Sequence, residues 1–186
     1  MLVRSNKLFM TTIETERLLL RMFRPEDLDE LARLLSDPDV VKYVGDGNPV
    51  GREEADKALK SIIKHWDTHG FGRWATVDKE TRKFIGFGGL RSLFGIPEVV
   101  YHLAKAQWGK GLATELGRAA LRFGFEEHQF ERIVAIARPA NAASIHVMEK
   151  LGMKYEMHTS YYNNNVIQYT INREDFHPDN STYILK

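Results

Sequence analysis

Val99-Val100-Tyr101-His102-Leu103-Ala104-Lys105-Ala106-Gln107-Trp108-Gly109-Lys110-Gly111-Leu112-Ala113-Thr114-Glu115 takes an apolar strand into a short glycine loop and straight on into a helix. Gly109 and Gly111 let the backbone approach a ligand closely and adopt conformations that a Cβ would oppose. The first turn beyond them leaves N–H groups unpaired and carries the positive end of the helix dipole. Such a loop offers a row of donors to an anion, and a pyrophosphate is the natural guest.

Two well-known phosphate loops do not fit. In the dinucleotide fingerprint G-x-G-x-x-G the third glycine would fall on Thr114, and no βαβ unit with a ribose-binding acid follows. The glycine-lysine-serine/threonine triplet of a Walker loop is absent.

The rest of the chain narrows the field. Its 186 residues are enough for one domain, expected to span 1–186 with its core over 12–176 and a peripheral tail over 177–186. Hydrophobic residues make up 43% and charged ones 27%, the usual mix of a globular protein. The 26 basic and 25 acidic side chains leave a net charge of +1, so no nucleic-acid surface is expected. No apolar run approaches the roughly 20 residues that span a bilayer, and the start lacks a signal-peptide pattern. A soluble cytoplasmic protein without membrane partners is the expectation, as a monomer or homodimer. With no cysteine, disulfides, thiolate metal sites and acyl-cysteine chemistry are all excluded.

Outward from the loop, the pattern predicts strands over 15–22, 71–77, 84–90, 97–105, 133–137, 154–161 and 166–172. Helices are predicted from about 25 to 36, then over 52–69, 112–127 and 141–151. The order is β-α-α-β-β-β-α-β-α-β-β. A second motif follows the strand at 133–137: Arg138-Pro139-Ala140-Asn141-Ala142-Ala143-Ser144-Ile145-His146-Val147-Met148-Glu149-Lys150-Leu151-Gly152-Met153. Asn141 suits a helix N-cap and Gly152 a C-terminal stop.

The two motifs together resemble those of the Gcn5-related N-acetyltransferases. In that family Q/R-x-x-G-x-G/A wraps the pyrophosphate of acetyl-coenzyme A, and N-x-x-S/A-x-x-x-Y/M-E-K-x-G-F/M follows. Gly111 and Ala113 take the last two positions of the first motif. Trp108 departs from its Gln/Arg, and W-G-K-G-x-A-T-E looks like the RimJ/RimL-like branch that acetylates protein N-termini. The resemblance implies an α/β (α+β) fold: a mixed, mostly antiparallel sheet of six or seven strands with helices on both faces. It implies acetyl-coenzyme A as cosubstrate, no metal, and direct transfer to an amine acceptor in a ternary complex. A protein or peptide α-amine is the first expectation, a polyamine or aminoglycoside-like amine the second, and a non-catalytic acyl-coenzyme A binding module the third.

Residue roles implied by the resemblance follow the motifs. Trp108, Gly109, Lys110, Gly111, Leu112, Ala113 and Thr114 would hold the pyrophosphate; Leu103, Ala104 and Lys105 would bind the pantetheine arm through main chain. The Leu103 N–H would meet the acyl oxygen. Asn141, Ser144 and Met148 complete the cofactor side. The commonest family pattern has a tyrosine seven residues after the asparagine to protonate the leaving thiolate, and here that position is Met148, which cannot donate. Ser144, one turn into the helix, is the candidate acid in the RimJ/RimL-like branch, while a capping or packing hydroxyl is its plainer reading. Glu98 is the candidate base, drawing a proton through water, or else an edge carboxylate. Strand alternation puts His102 on the same face as Glu98, making it the second candidate.

Other features carry less. His65 and His69 share a helix but lack a third ligand, so an exposed helix face is expected rather than a metal site. Trp66, Phe71, Trp74 and Phe87 read as core, with Trp74 also a candidate acceptor contact, as is Tyr162 in the last hairpin. An α-amine with a pKa of about 7.8 is neutral in roughly one molecule in seven at pH 7, whereas lysine at about 10.4 is neutral in well under one in a thousand. An α-amine acceptor therefore tolerates a poor base.

Overall fold

The computed structural model describes residues 11–161 and 163–186. Among them the strands are β1 (Ile13–Glu14), β2 (Leu18–Arg21), β3 (Arg73–Asp78), β4 (Phe84–Leu93), β5 (Ile96–Leu103), β6 (Arg132–Ala137), β7 (Lys154–Tyr161), β8 (Asn164–Asn172) and β9 (Ile184–Leu185). The helices are α1 (Leu28–Leu35), α2 (Pro38–Val41), α3 (Arg52–His69), α4 (Leu112–Arg122) and α5 (Ala142–Lys150), with a π-helical turn over Phe123–Glu127 continuing α4.

The strands form one sheet in the order β7-β8-β6-β5-β4-β3-β2-β1-β9. Only β5 and β6 run parallel. Nine strands replace the six or seven expected, and the extra ones are two-residue pieces at one edge. The first strand, expected over 15–22, shortens to β2, and β1 precedes it: the Thr15 hydroxyl accepts from the Leu18 N–H at 3.0 Å and turns the chain between them. The resulting β1 pairs with β9 in the tail, where Thr12 and Lys186 exchange main-chain hydrogen bonds of 3.0 and 2.8 Å. The turn read after the first helix also holds the short α2, capped by Asp37 accepting from the Asp39 N–H at 2.9 Å.

Each face of the sheet buries a separate core. Leu31, Leu34, Leu59 and Ile62 bring the apolar stripes of α1 and α3 onto Phe87 and Ala75. On the other face, Leu116, Ala120 and Leu121 of α4 and Met148 of α5 pack with Trp74, Leu90, Val99 and Ile133. Alternation along each strand divides neighbours between these cores: Trp74 goes to one, Ala75 to the other. Gly88 lets α4 settle onto the sheet, since a Cβ there would lie 2.6 Å from a Leu116 methyl. Leu116 is wholly buried at that contact, so Leu116→Ala should lower the unfolding free energy by about 2–5 kcal/mol, read by denaturant melts.

Candidate active site

The site grows from the end of β5. The Ala104 N–H donates to the Ile85 carbonyl at 2.9 Å, continuing the register that sets Gly86 against Leu103. In an antiparallel ladder the main-chain groups of alternate residues point to opposite sides. Those of Tyr101 and Leu103 therefore point away from β4, toward β6. There β6 is missing as a partner, because the parallel pairing is confined to Glu98 with Val134. Past that point the two strands part and leave a gap lined by main chain. The Leu103 carbonyl is taken by the Trp108 indole N–H at 2.8 Å, leaving its N–H as the donor that faces the gap.

The loop beyond is built to stay open. Gly109 and Gly111 have φ of +74° and +78°, the left-handed region where a Cβ is disfavoured, and no heavy atom lies within 4 Å of a Cβ placed on Gly109. Gly111 is the N-cap of α4, which has no side-chain cap. From across the molecule Arg17 donates to the Lys110 carbonyl at 2.9 Å and grips Glu115 through its backbone N–H and its guanidinium at 2.8 and 2.7 Å. Thr15 donates to the same carboxylate at 2.6 Å. Uncapped N–H groups, a left-handed glycine pair and the nearby Arg17 cation suit a pyrophosphate. Leu112 and Thr114 turn their side chains inward and are buried, so what they offer a ligand is backbone.

On the α5 side of the gap, Asn141 caps the helix by accepting from the Ser144 N–H at 3.2 Å. Tyr101 reaches across: its phenol donates to the Ser144 carbonyl at 3.0 Å and lies 3.1 Å from Ser144 Oγ. Burial pushes the Tyr101 phenol up to about 12 despite the Ser144 hydrogen bond, so it keeps its proton at neutral pH. Sequence reasoning singled out Ser144 and missed Tyr101, whose alternation with Val100 was the available signal.

Glu98 and His102 share the opposite face, as alternation predicted. Glu98 is 2% exposed and accepts from Arg91 Nε at 2.5 Å. Burial raises its carboxyl, while Arg91 and then Arg73 pull the other way. His102 stacks on Phe87, ring centroids 4.7 Å apart, with Nδ1 sealed from solvent and unpartnered among the described residues. Burial first, then the charges of Arg73 and Arg91, push it down to about 3. It is a neutral imidazole throughout the physiological range. The tip of the last hairpin meets the β4–β5 turn and the loop after α2: Tyr161 stacks on Phe94 at 5.7 Å, and the Asn164 amide donates to the Gly45 carbonyl at 3.2 Å.

Several candidates land elsewhere. Trp74 is wholly buried between Trp66 and Phe123, so the core claims it rather than an acceptor. Met148 is likewise wholly buried, on the core side of α5, and presents nothing to a cofactor surface. Lys105 lies in a 3-10 turn rather than in β5, with its ammonium 2.6 Å from Asp39 of α2. His65 is half-buried rather than exposed, and both ring nitrogens are committed, to the Phe71 carbonyl at 2.8 Å and the Ser92 N–H at 3.0 Å. Tyr162 lies outside the described residues. A cleft of about 310 Å³ beside Arg118, Leu151 and His177 sits at the far end of α4 from the glycine loop.

A glycine loop at an uncapped helix, beside two parallel strands that part after one pair, is the arrangement expected of an acyl-coenzyme A transferase. The Acetyltransferase (GNAT) domain family matches residues 17–154, and the chain belongs to that family. It is an acetyl-coenzyme A-dependent N-acetyltransferase. It is 32% identical over 169 residues to the uncharacterized protein YkkB of Bacillus subtilis, covering 86% of this chain and 94% of that one. To the FsC-acetyl coenzyme A-N(2)-transacetylase of Aspergillus fumigatus it is 26% identical over 184 residues, covering 89% and 77%. A GNAT-family acetyltransferase structure from Bacillus anthracis superposes with a TM-score of 0.77 at 27% identity, covering 88% of this chain and 99% of that one. The fold alone is shared with a ribosomal-protein-S5-alanine acetyltransferase from Vibrio fischeri (TM-score 0.71, 20% identity, covering 90% and 99%). It is shared also with a spermidine N-acetyltransferase from Vibrio cholerae, solved with coenzyme A and spermine (0.70, 21%, covering 86% and 97%). Among the described residues no helix is long and apolar enough to cross a membrane.

Two outcomes follow from this geometry. A tyrosine at 148 would be overpacked in the core, so Met148→Tyr should cost about 1–3 kcal/mol in denaturant melts and gain no turnover. His102 binds a proton near its ordinary value only when unfolded, because its folded value is depressed. Unfolding therefore takes up a proton as pH falls below about 6.5, and stability drops by up to about 1.4 kcal/mol per pH unit for this group. Melts between pH 7 and 5 should show that slope reduced by about one proton in His102→Gln.

Proposed function

We propose that the chain acetylates α-amines, foremost a protein or peptide N-terminus, by direct transfer in a ternary complex along RimJ/RimL-like lines. The observation that carries this reading is the Glu98–Arg91 pair standing in the field of Arg73, next to a neutral His102. Such a face holds no strong base. It suits an amine that is already partly neutral near pH 7, and it repels polycations such as polyamines and aminoglycosides.

In this scheme the N–H groups at 109–114 bind the pyrophosphate, and the strand end at 103–105 binds the pantetheine arm. The Leu103 N–H stabilises the developing oxyanion. Glu98 takes the amine proton through water, and Ser144 Oγ returns one to the departing thiolate. Tyr101 is a positioning residue, holding Ser144 at the gap. Met148 gives up the acid role that a tyrosine fills elsewhere in the family. One transferase domain, acting in the cytoplasm, accounts for the chain under this reading.

Release of free thiol from acetyl-coenzyme A reports turnover, and the cysteine-free chain adds no background. N-terminal peptides should be acetylated at higher kcat/KM than spermidine or an aminoglycoside; the reverse order would overturn the α-amine reading. Ser144→Ala should lower kcat by about 100-fold with little change in the KM for acetyl-coenzyme A, and Tyr101→Phe by less. An unaltered kcat in Ser144→Ala removes Ser144 as the acid. Gly111→Val should abolish the rise in Tm on adding coenzyme A, because valine opposes the left-handed backbone of the loop.

A further inference from the structure

Arg73 enters the scheme above only through its field, with no contact of its own to the acceptor. It opens β3, opposite Gly89 of β4, which in turn lies opposite Val100 of β5. Arg73 is therefore two strand spacings, about 10 Å, from the strand that carries Glu98 and His102. Its parity is that of Ala75, whose side chain joins the core beneath α1 and α3, so Arg73 shares the face of Phe87, Arg91, Glu98 and His102. Arg91 spends its guanidinium on Glu98. Arg73 is only partly exposed, yet its guanidinium makes no hydrogen bond or ion pair with any described residue.

A guanidinium in that position is unusual. Arginine presents five donors in a planar fork, and partly buried examples are ordinarily matched by a carboxylate, a carbonyl or a phosphate. The local charges do not cancel. Arg73 and Arg91 set against Glu98 leave one positive charge, and the neutral His102 and His65 add none. His102 is depressed by burial first and then by Arg73 and Arg91, and His65 by burial first and then by His69, Arg73 and Arg91, so the charge of both arginines is felt across this face. One excess positive charge calls for one negative charge from a ligand.

We propose that Arg73 binds a carboxylate carried by the acceptor, so that the preferred substrate is a primary amine bearing a carboxylate close to the reacting nitrogen. The free carboxylate of an amino acid and an acidic side chain at a peptide N-terminus present the same chemistry. Its planar pair of oxygens matches the arginine fork through two parallel N–H···O bonds. Seating it there would neutralise the residual charge and orient the amine toward the gap, where the Leu103 N–H and Ser144 meet the thioester. The inference rests on the acetyl-transfer reading of this site and specifies what the acceptor carries besides its amine.

The test pairs each carboxylate acceptor with its amide: glutamate with glutamine α-amide, and a peptide beginning Asp-Glu with one beginning Asn-Gln. Each is assayed by thiol release with the wild type, Arg73→Gln and Arg73→Lys. The carboxylate members should be favoured about tenfold or more in kcat/KM by the wild type. Arg73→Gln should erase that preference through a rise in the KM of the carboxylate acceptors that exceeds any change for their amides, with the KM for acetyl-coenzyme A unchanged. Arg73→Lys should restore part of it, since an ammonium keeps the charge but loses the fork. Which pair shows the larger effect identifies the source of the carboxylate.

A second measurement does not need turnover. With coenzyme A present, glutamate should raise the Tm of the wild type and leave that of Arg73→Gln unmoved. Equal losses on carboxylate and amide acceptors, or an identical Tm response in both proteins, would overturn the proposal. If free amino acids are acetylated with an Arg73-dependent preference and no peptide is, the N-terminal reading fails while Arg73 keeps its role. If peptides are acetylated with no carboxylate preference, the reverse holds.

Discussion

The parting of β5 from β6 after the single pair Glu98 and Val134 is the constraint around which this protein is arranged. A sheet that separates loses ladder hydrogen bonds, and main-chain groups left in a buried gap must find other partners. Here the losses are confined to a few residues at the end of β5. The Leu103 carbonyl, which faces the gap, is met by the Trp108 indole. The Leu103 N–H is left as the donor a thioester carbonyl can use. The two parts of the sheet stay in place because one core runs beneath both, with Leu116 of α4 and Met148 of α5 among its wholly buried residues. Gly117 allows the two helices to approach, since a Cβ there would lie 2.7 Å from Leu151.

The two faces of the gap differ electrically, and that difference divides the chemistry. On the α5 side the polar groups are neutral hydroxyls, and Tyr101 is held protonated by its burial. On the α1 and α3 side lie two arginines, a buried carboxylate and a neutral histidine. A buried ion pair such as Arg91 with Glu98 adds little net stability, because desolvation offsets most of its attraction. Its presence is better explained by what it does to the acceptor face. It fixes a carboxylate beside the gap, which burial lifts above its usual range against the pull of Arg91 and Arg73.

Much of this was legible in the sequence because it depends on local patterns. The strand, glycine loop and helix at 99–115 announce themselves through residue type, and Asn141 with Ser144 through capping and spacing. Alternation alone placed Glu98 and His102 together. Register was harder. Arg91 meets Glu98 because β4 and β5 turn about Phe94 and Gly95, a symmetry visible only once the turn is fixed. Arg73 joins them through a further strand, and pattern within one strand cannot carry that information. Trp74 reads as core and also as an acceptor contact, and Met148 as a cofactor contact by motif position; packing keeps Trp74 in the core and sends Met148 there too. The short β1 and β9 escaped because pairing across 172 residues, from Ile13 to Leu185, leaves no local trace.

The glycine loop owes its usefulness to rigidity elsewhere. Two left-handed glycines would ordinarily give a mobile segment, since glycine has the most conformational freedom to lose on ordering. A mobile loop would lose part of its binding energy to being ordered by the ligand. Arg17 and Thr15 remove that freedom in advance. Both lie in the turn between β1 and β2, and both converge on Glu115 in the first turn of α4, while Arg17 also holds the Lys110 carbonyl between the glycines. The carboxylate of Glu115 sits near the positive end of the helix dipole, where it is favoured, and brings the cation of Arg17 to the loop. The same turn is anchored at the sheet edge by the pairing of β1 with β9. The C-terminal strand thereby supports a ligand loop it never touches, which gives the tail a structural task beyond covering an edge.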